Sequence, residues 1–321
     1  MGTWHAHAIR QTGAAVVGVV DVELVRATTL AARHRRARSF EGLEDALEAL
    51  RPDIVHVCTP LASHASLVRT ALSAGCHVLA EKPLTATANE TQDLLTLAST
   101  GGRILVPVHQ FAWQRGALRL ADRLPTLGPI LHLEASAASA GAAGGSAAAA
   151  EAVAADILPH FLALTRRLVG VPLAGEGWMV EKSQAGEWSV TARCGAVLVH
   201  FLVSMAARPT FAELRLLGSR GSARLDLFHG FGIMERGTVS RADKVTRPFR
   251  VAARSLLAAS ENLVHRAILR EPAYPGLAEL IRRVHRAVSG VQENPVPPEE
   301  TLDIARARDR LLVLAAETGR V

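Results

Sequence analysis

Four short stretches of the chain carry side chains whose types and spacing could do chemistry. At Glu81, Lys82 and Pro83 an apolar run, CHVLA, delivers a carboxylate and an ammonium together and then stops at proline, which cannot continue a central strand because it lacks an N–H. Charge at the end of a buried strand needs a partner or a purpose. Lysine occurs only at 82, 182 and 244 among 36 lysines and arginines, so Lys82 is a candidate for stabilising a developing alkoxide; a plain surface ion pair is the alternative. In DILPH, Asp156 and His160 stand four apart, on one helical face. An imidazole has the intrinsic pKa to take a proton from an alcohol, and a carboxylate one turn away can orient it. A satisfied core histidine and a capping aspartate would read the same.

Two further stretches suit ligands. Asp21 closes AAVVGVVD, nineteen residues after Gly2, the spacing of an acid that hydrogen-bonds a ribose 2′-hydroxyl and repels a 2′-phosphate. That favours NAD over NADP, unless Asp21 only caps the next helix. CTPLASH places Thr59 and Pro60 at a strand end, with Ser63 and His64 opening a helix, where a parallel sheet meets its cofactor; Thr59 or Ser63 could equally be a cap. Gly2 and Trp4 open the first helix beside the expected pyrophosphate, and His5 and His7 have only proximity to argue for them. HQFAWQRG offers His109, Gln110, Trp113 and Arg115 for a substrate hydroxyl or phosphate, with Trp113 also readable as core. His56, inside an apolar run, reads as structural.

These residues need elements to hold them. From residue 14 to about 110, Val- and Ile-rich runs alternate with amphipathic stretches, the pattern of a parallel sheet with helical crossovers. After that come a helix over FAWQRGALRLADRL, a strand near GPILHLEASA, and the low-complexity AASAGAAGGSAAAAEAVAA, read as a loop entering an alanine-rich helix and open to a second reading as a loop over a site. Strand runs follow, with Gly218 and Gly221 at a hairpin turn, then helices over VAARSLLAASENLVHRAIL, GLAELIRRVHRAVSG and TLDIARARDRLLVLAAETG. The expected fold is α/β: a doubly wound parallel domain over 1–111 and an α+β domain with an open, mostly antiparallel sheet over 112–321, the last helix packing back toward the first domain. A chain of 321 residues is long enough for both cores.

The net charge of +6 is carried by dispersed arginines, which argues against a nucleic-acid partner. No uninterrupted apolar run of spanning length and no leader is seen, so a cytoplasmic protein without membrane contact is expected. Cys58, Cys76 and Cys194 lack metal-type spacing and read as free thiols.

Taken together, MGxxHxxAI, VVGVVD, the CTPxxxH turn, AGCHVLAEKP and the Asp-x-x-x-His helix resemble the glucose-fructose oxidoreductase, inositol dehydrogenase and rhizopine catabolism family (Gfo/Idh/MocA). The order of motifs matches as well as each motif, and LRLLGSRGSARLDL and NPVPPEETLDIARARDRLL resemble the family's second domain and closing helix. The resemblance implies a Rossmann domain, a nicotinamide cofactor, a sugar-like substrate and a homo-oligomer, dimer or tetramer, through the open sheet. It places Glu81 and Lys82 at the nicotinamide ribose and reacting carbon, and gives Lys82 and His160 the substrate hydroxyl with Asp156 orienting them. The peptide before Pro83 is a candidate for the cis form.

Two positions depart from the family pattern. Ala163 stands where the family has an aspartate, and Gly2 matches the third glycine of G-x-G-x-x-G, with the first strand and the first two glycines unmatched. Because Asp21, Glu81, Lys82, Asp156 and His160 are all kept, the expected explanation is that Met1 is an internal methionine of a longer protein; decay into a non-redox relative is the competing one. The expected activity is NAD-dependent hydride transfer between nicotinamide and a secondary alcohol or ketone of a sugar, sugar derivative or cyclitol. The alternatives are a redox-neutral reaction with recycled NAD, such as elimination, hydrolysis or epimerisation, and a non-catalytic sugar- or dinucleotide-binding protein.

Overall fold

The computed structural model describes residues 1–175, 177–237 and 240–318. The chain divides into two compact units, Met1–Val108 with Leu277–Ala305, and His109–Gly276 with Arg306–Val321. A single cut near residue 111 therefore does not describe it, because a C-terminal segment returns to the first unit.

In the first unit α1 (Gly2–Gln11) precedes β1 (Gly18–Val20), α2 (Leu24–Ala31), β2 (Arg38–Phe40), α3 (Leu43–Leu50) and β3 (Ile54–Val57). The alternation continues with α4 (His64–Ser73), β4 (His77–Ala80), α5 (Ala88–Thr100) and β5 (Leu105–Pro107). Among the described residues the strand pairings of this unit are parallel: β1 with β2, and β3-β4-β5 in that order. Strand β2, Arg-Ser-Phe, was not foreseen, since three residues with one apolar side chain carry no periodic signal. Val57, Val78, Leu79, Ala80, Leu105 and Val106 are buried, as strands covered on both faces require. Residues of β1 and β3 line a common cavity of about 1170 Å³. Helix α5 starts with a capping box in which the Thr87 side chain accepts from the Glu90 backbone and Glu90 reaches back to Thr87.

The second unit opens with a 3-10 turn, Gln110–Trp113, then α6 (Arg115–Arg123), β6 (Ile130–Ala138) and α7 (Ala147–Val169). There follow β7 (Met179–Gln184), β8 (Glu187–Cys194), β9 (Val197–Ser204), β10 (Phe211–Gly218), β11 (Gly221–Asp226), β12 (Phe231–Arg236) and α8 (Arg241–Ile268). Among the described residues the strands form one sheet ordered β12-β11-β10-β6-β9-β8-β7, antiparallel except for β6 beside β9. Alternation is clean: Val199, Phe201 and Val203 are buried while Leu198 and Leu202 face out. Gly218 and Gly221 pair across the β10–β11 turn. Helix α7 is long and apolar enough to cross a bilayer by length and composition, but Leu158, Phe161, Leu162 and Leu164 are fully buried, which is the side of a core helix. Helix α8 begins ten residues before the expected VAARSLL start, running through Pro248.

The chain then returns to the first unit in α9 (Leu277–Val288) and the start of α10 (Pro298–Thr318). The amphipathic α9 packs on α1, with a 2.9 Å contact between Thr12 Oγ1 and His285 Nδ1.

Candidate active site

In the first unit, the end of β4 turns a charged pair onto the carboxyl edge of the sheet. Glu81 is 8% exposed, too buried to stay ionised alone, and its buried partner is His5 of α1: His5 Nε2 lies 3.0 Å from Glu81 Oε1. The Lys82 backbone N–H donates to Glu81 Oε2 at 3.3 Å. On its other side His5 Nδ1 meets His56 Nδ1 of β3 at 2.9 Å. Burial alone would lower the His5 pKa, but the Cys58 sulfur and the Glu81 carboxylate outweigh it and raise it to about 9. Burial drives His56 well below its ordinary value, helped by His5 and His285. The set is therefore consistent with an imidazolium at His5 donating from both nitrogens, to ionised Glu81 and to neutral His56. Burial would raise Glu81, yet His5 and Lys82 hold it below the usual carboxylate range. The Lys82–Pro83 peptide is cis.

His5 was singled out from sequence only by proximity, and its pairing with Glu81 joins residues 76 apart, which no spacing shows. A second surprise is His64. It is 1% exposed, with Nδ1 3.0 Å from the Pro83 carbonyl and Nε2 2.8 Å from the Thr59 carbonyl, so it ties two strand-end loops together instead of turning a nitrogen outward. Thr59 accepts from Ser63 Oγ at 2.8 Å. Gly2, Asp21 and Thr59 line the cavity described above, whereas Trp4, Pro60, His64, Glu81 and Lys82 are not among its lining residues. Asp21 Oδ1 accepts from the Glu23 N–H at 2.9 Å, so it does act at the turn before α2, with its other oxygen outside that bond. A Cβ at Gly2 would meet nothing within 4 Å; nothing in the chain itself requires glycine there. The first turn of α1 has no side-chain cap, leaving N–H groups suited to an anion.

In the second unit α7 carries Asp156 and His160, and the 3-10 turn with the residue before it brings Phe111 and His109 to His160. The Phe111 ring stacks on His160 at 4.4 Å between centroids, and His109 stands edge-on at 6.3 Å. His160 is 6% exposed and His109 5%. Asp156 interacts electrostatically with Arg308 of α10, whose pKa burial lowers while Asp309 and Asp156 pull it back up. Gln110 is buried. Trp113 is core, with the Arg167 guanidinium 4.1 Å above its ring. Arg115 is engaged with Glu261 at 2.7 Å, so it serves the α6–α8 contact and is not held ready for a substrate. Sequence reading missed Gln114, buried with its amide donating to the Leu227 carbonyl at 2.7 Å. It also missed Gly276, where a Cβ would lie 2.3 Å from the Gln110 carbonyl oxygen; the Pro-Gly pair at 275–276 was the available signal.

Residues 1–109 match the family model GFO_IDH_MocA, described as an oxidoreductase family with an NAD-binding Rossmann fold. That match gives the first third of the chain the NAD-binding Rossmann domain of the Gfo/Idh/MocA oxidoreductases. Among curated relatives, D-glucoside 3-dehydrogenase of Escherichia coli K12 is 33% identical over 117 residues, 36% of this chain and 33% of that protein. A dTDP-3,4-didehydro-2,6-dideoxy-alpha-D-glucose 3-reductase of Streptomyces violaceoruber is 29% identical over 259 residues, 70% of this chain and 76% of that one. The alignment thus spans a third of the first relative and three quarters of the second. The UDP-N-acetylglucosamine 3-dehydrogenase structure from Acidithiobacillus ferrooxidans superposes with a TM-score of 0.75 at 20% identity, covering 99% of this chain and 95% of the other. A dehydrogenase from Bordetella pertussis, solved with NADH and UDP-GlcNAcA, gives 0.75 at 18% identity, covering 99% and 92%. At such identities these two show the fold alone.

Proposed function

We propose that this protein is an NAD-dependent oxidoreductase of the Gfo/Idh/MocA family that moves a hydride between nicotinamide and a secondary alcohol or ketone of a sugar, sugar derivative or cyclitol. The observation that carries the reading is the Glu81–Lys82–Pro83 turn at the carboxyl end of β4, within the stretch matched to an NAD-binding Rossmann family. The residues present fit a dinucleotide: Gly2 at the uncapped start of α1 and Asp21 at the end of β1 line one cavity, anion donor and ribose acceptor respectively. The Asp21 carboxylate favours NAD over NADP by repelling a 2′-phosphate.

When bound, the nicotinamide supplies the hydride acceptor or donor. Glu81, held ionised by His5, anchors the turn from which Lys82 projects; the Lys82 ammonium stabilises charge developing on the substrate oxygen, and His160 takes or returns its proton. Asp156 is the proposed orienting group, and His109 and Gln110 are candidates for substrate hydroxyls. The names of the relatives, which act on hexosides and nucleotide-linked sugars, support a pyranose-like substrate. A homo-oligomer formed through the outer face of the seven-stranded sheet is part of the reading.

The test is NAD reduction with a panel of glycosides, nucleotide sugars and cyclitols, repeated with NADP, on the wild type and on Lys82→Met. The wild type reduces NAD in preference to NADP, and Lys82→Met lowers turnover by roughly 10²–10⁴-fold. An unchanged rate in Lys82→Met with an active substrate removes Lys82 from the chemistry.

A further inference from the structure

Helix α8 presents an apolar stripe that no strand or helix of its own unit covers. It runs for 28 residues, about 42 Å at 1.5 Å per residue. Val245, Phe249, Leu256, Leu257, Leu263, Val264 and Ile268 are each 59–76% exposed. At about 100° per residue they share one side of the helix. The opposite side holds the helix to its unit: Asn262 is buried there, its amide donating to the His229 carbonyl at 2.9 Å, while Glu261, at the edge of the stripe, binds Arg115 and Arg119. The stripe therefore points away from its own unit. Arg250, paired with Asp243, and Arg254, donating to the Met234 carbonyl, border it along one edge, and Arg241 and Arg266, the latter donating to the Glu271 and Pro272 carbonyls, along the other. Beside the first half of the helix is a cavity of about 880 Å³ whose walls include Arg123, Arg236, Lys244, Arg247, Arg250 and Arg254 against two carboxylates, Glu235 and Asp243.

We propose that α8 is a membrane-surface helix that lies in the headgroup region of an anionic bilayer, its apolar stripe among the acyl chains and the bordering arginines on phosphate groups. An outward apolar face edged by cations along a helix of this length is the form such helices take. Charge decides against a second copy as occupant. Pairing two stripes would set arginine edge against arginine edge, and the edges stay net positive even with Asp243 offsetting Arg250, since Arg241, Arg254 and Arg266 face no acid of α8 and Glu261 is held by Arg115 and Arg119. An anionic leaflet supplies apolar depth and negative charge along the whole helix. The absence of a membrane role expected from sequence rested on spanning segments, and a helix lying on the surface is a different case.

The experiment is vesicle flotation of the full chain with phosphatidylcholine vesicles, with and without phosphatidylglycerol, beside sedimentation equilibrium of the protein alone. The wild type floats with the anionic vesicles, at least tenfold more than with the neutral ones, and less at high salt. Phe249→Ser with Leu256→Ser abolishes flotation, while Arg254→Gln weakens it about fivefold. Because the stripe is exposed, Phe249→Trp provides an independent reading: its emission shifts to the blue on anionic vesicles only. No flotation of folded wild-type protein overturns the proposal, as does flotation equal on neutral vesicles. Association of the protein alone that is lost in the double serine variant assigns the stripe to a second copy and overturns it too.

Discussion

Glu81 and His5 form a buried charged pair whose energetics are legible in pH. His5 is raised from 6.5 to about 9, so it binds its proton more tightly folded than unfolded. The stability it contributes is full below pH 6.5 and is lost as pH rises through about 9. The neighbouring His56 is shifted the other way by burial; its protonation favours the unfolded chain, so stability falls as pH drops below 6.5. The unfolding free energy from urea titrations should therefore peak near neutrality and decline by at most on the order of 3 kcal/mol toward pH 9. A flat profile from pH 6.5 to 9 would show that His5 does not carry the charge.

At the scale of elements, the 3-10 turn Gln110–Trp113 positions His109 and Phe111 around His160, and its backbone rests on Gly276. With φ at +93° and a Cβ that would fall 2.3 Å from the Gln110 carbonyl oxygen and 2.7 Å from the Gln114 nitrogen, only glycine fits. Gly276→Ala should cost at least about 1–3 kcal/mol from the backbone conformation alone and disturb the packing of Phe111 on His160. A urea midpoint equal to that of the wild type would mean the turn relaxes away from residue 276 without penalty. The long α7 illustrates the same scale: its apolar length meets a spanning criterion, yet burial of Phe161 and Leu162 assigns it to a core.

Across the whole molecule, the outer face of the seven-stranded sheet carries Leu198 and Leu202, 42% and 46% exposed, among Glu134, His200, Glu213 and Arg215. Apolar side chains amid mixed charges suit a two-fold interface in which each patch meets its own copy. Size-exclusion with light scattering should give a dimer or tetramer of 34.1 kDa chains, and Leu202→Arg should shift it toward monomer. A wild-type monomer at micromolar concentration would remove this face as an interface.

By itself the sequence determined the parallel crossover pattern, the antiparallel succession after it, and the Glu81–Lys82–Pro83 turn, because each is written in local periodicity, punctuation and contiguous side-chain types. It could not show that His5 lies against the Glu81 carboxylate, that His64 spans two carbonyls, or that Arg115 belongs to Glu261. Those pairings join residues far apart in the chain, and burial, which decides whether a charge needs a partner, exists only once the elements pack. The return of Leu277–Val288 to the first unit, ahead of the closing helix expected to pack back, and the outward turn of the α8 stripe are of the same kind. An amphipathic helix announces its apolar face locally, but what lies against that face is set by the tertiary fold.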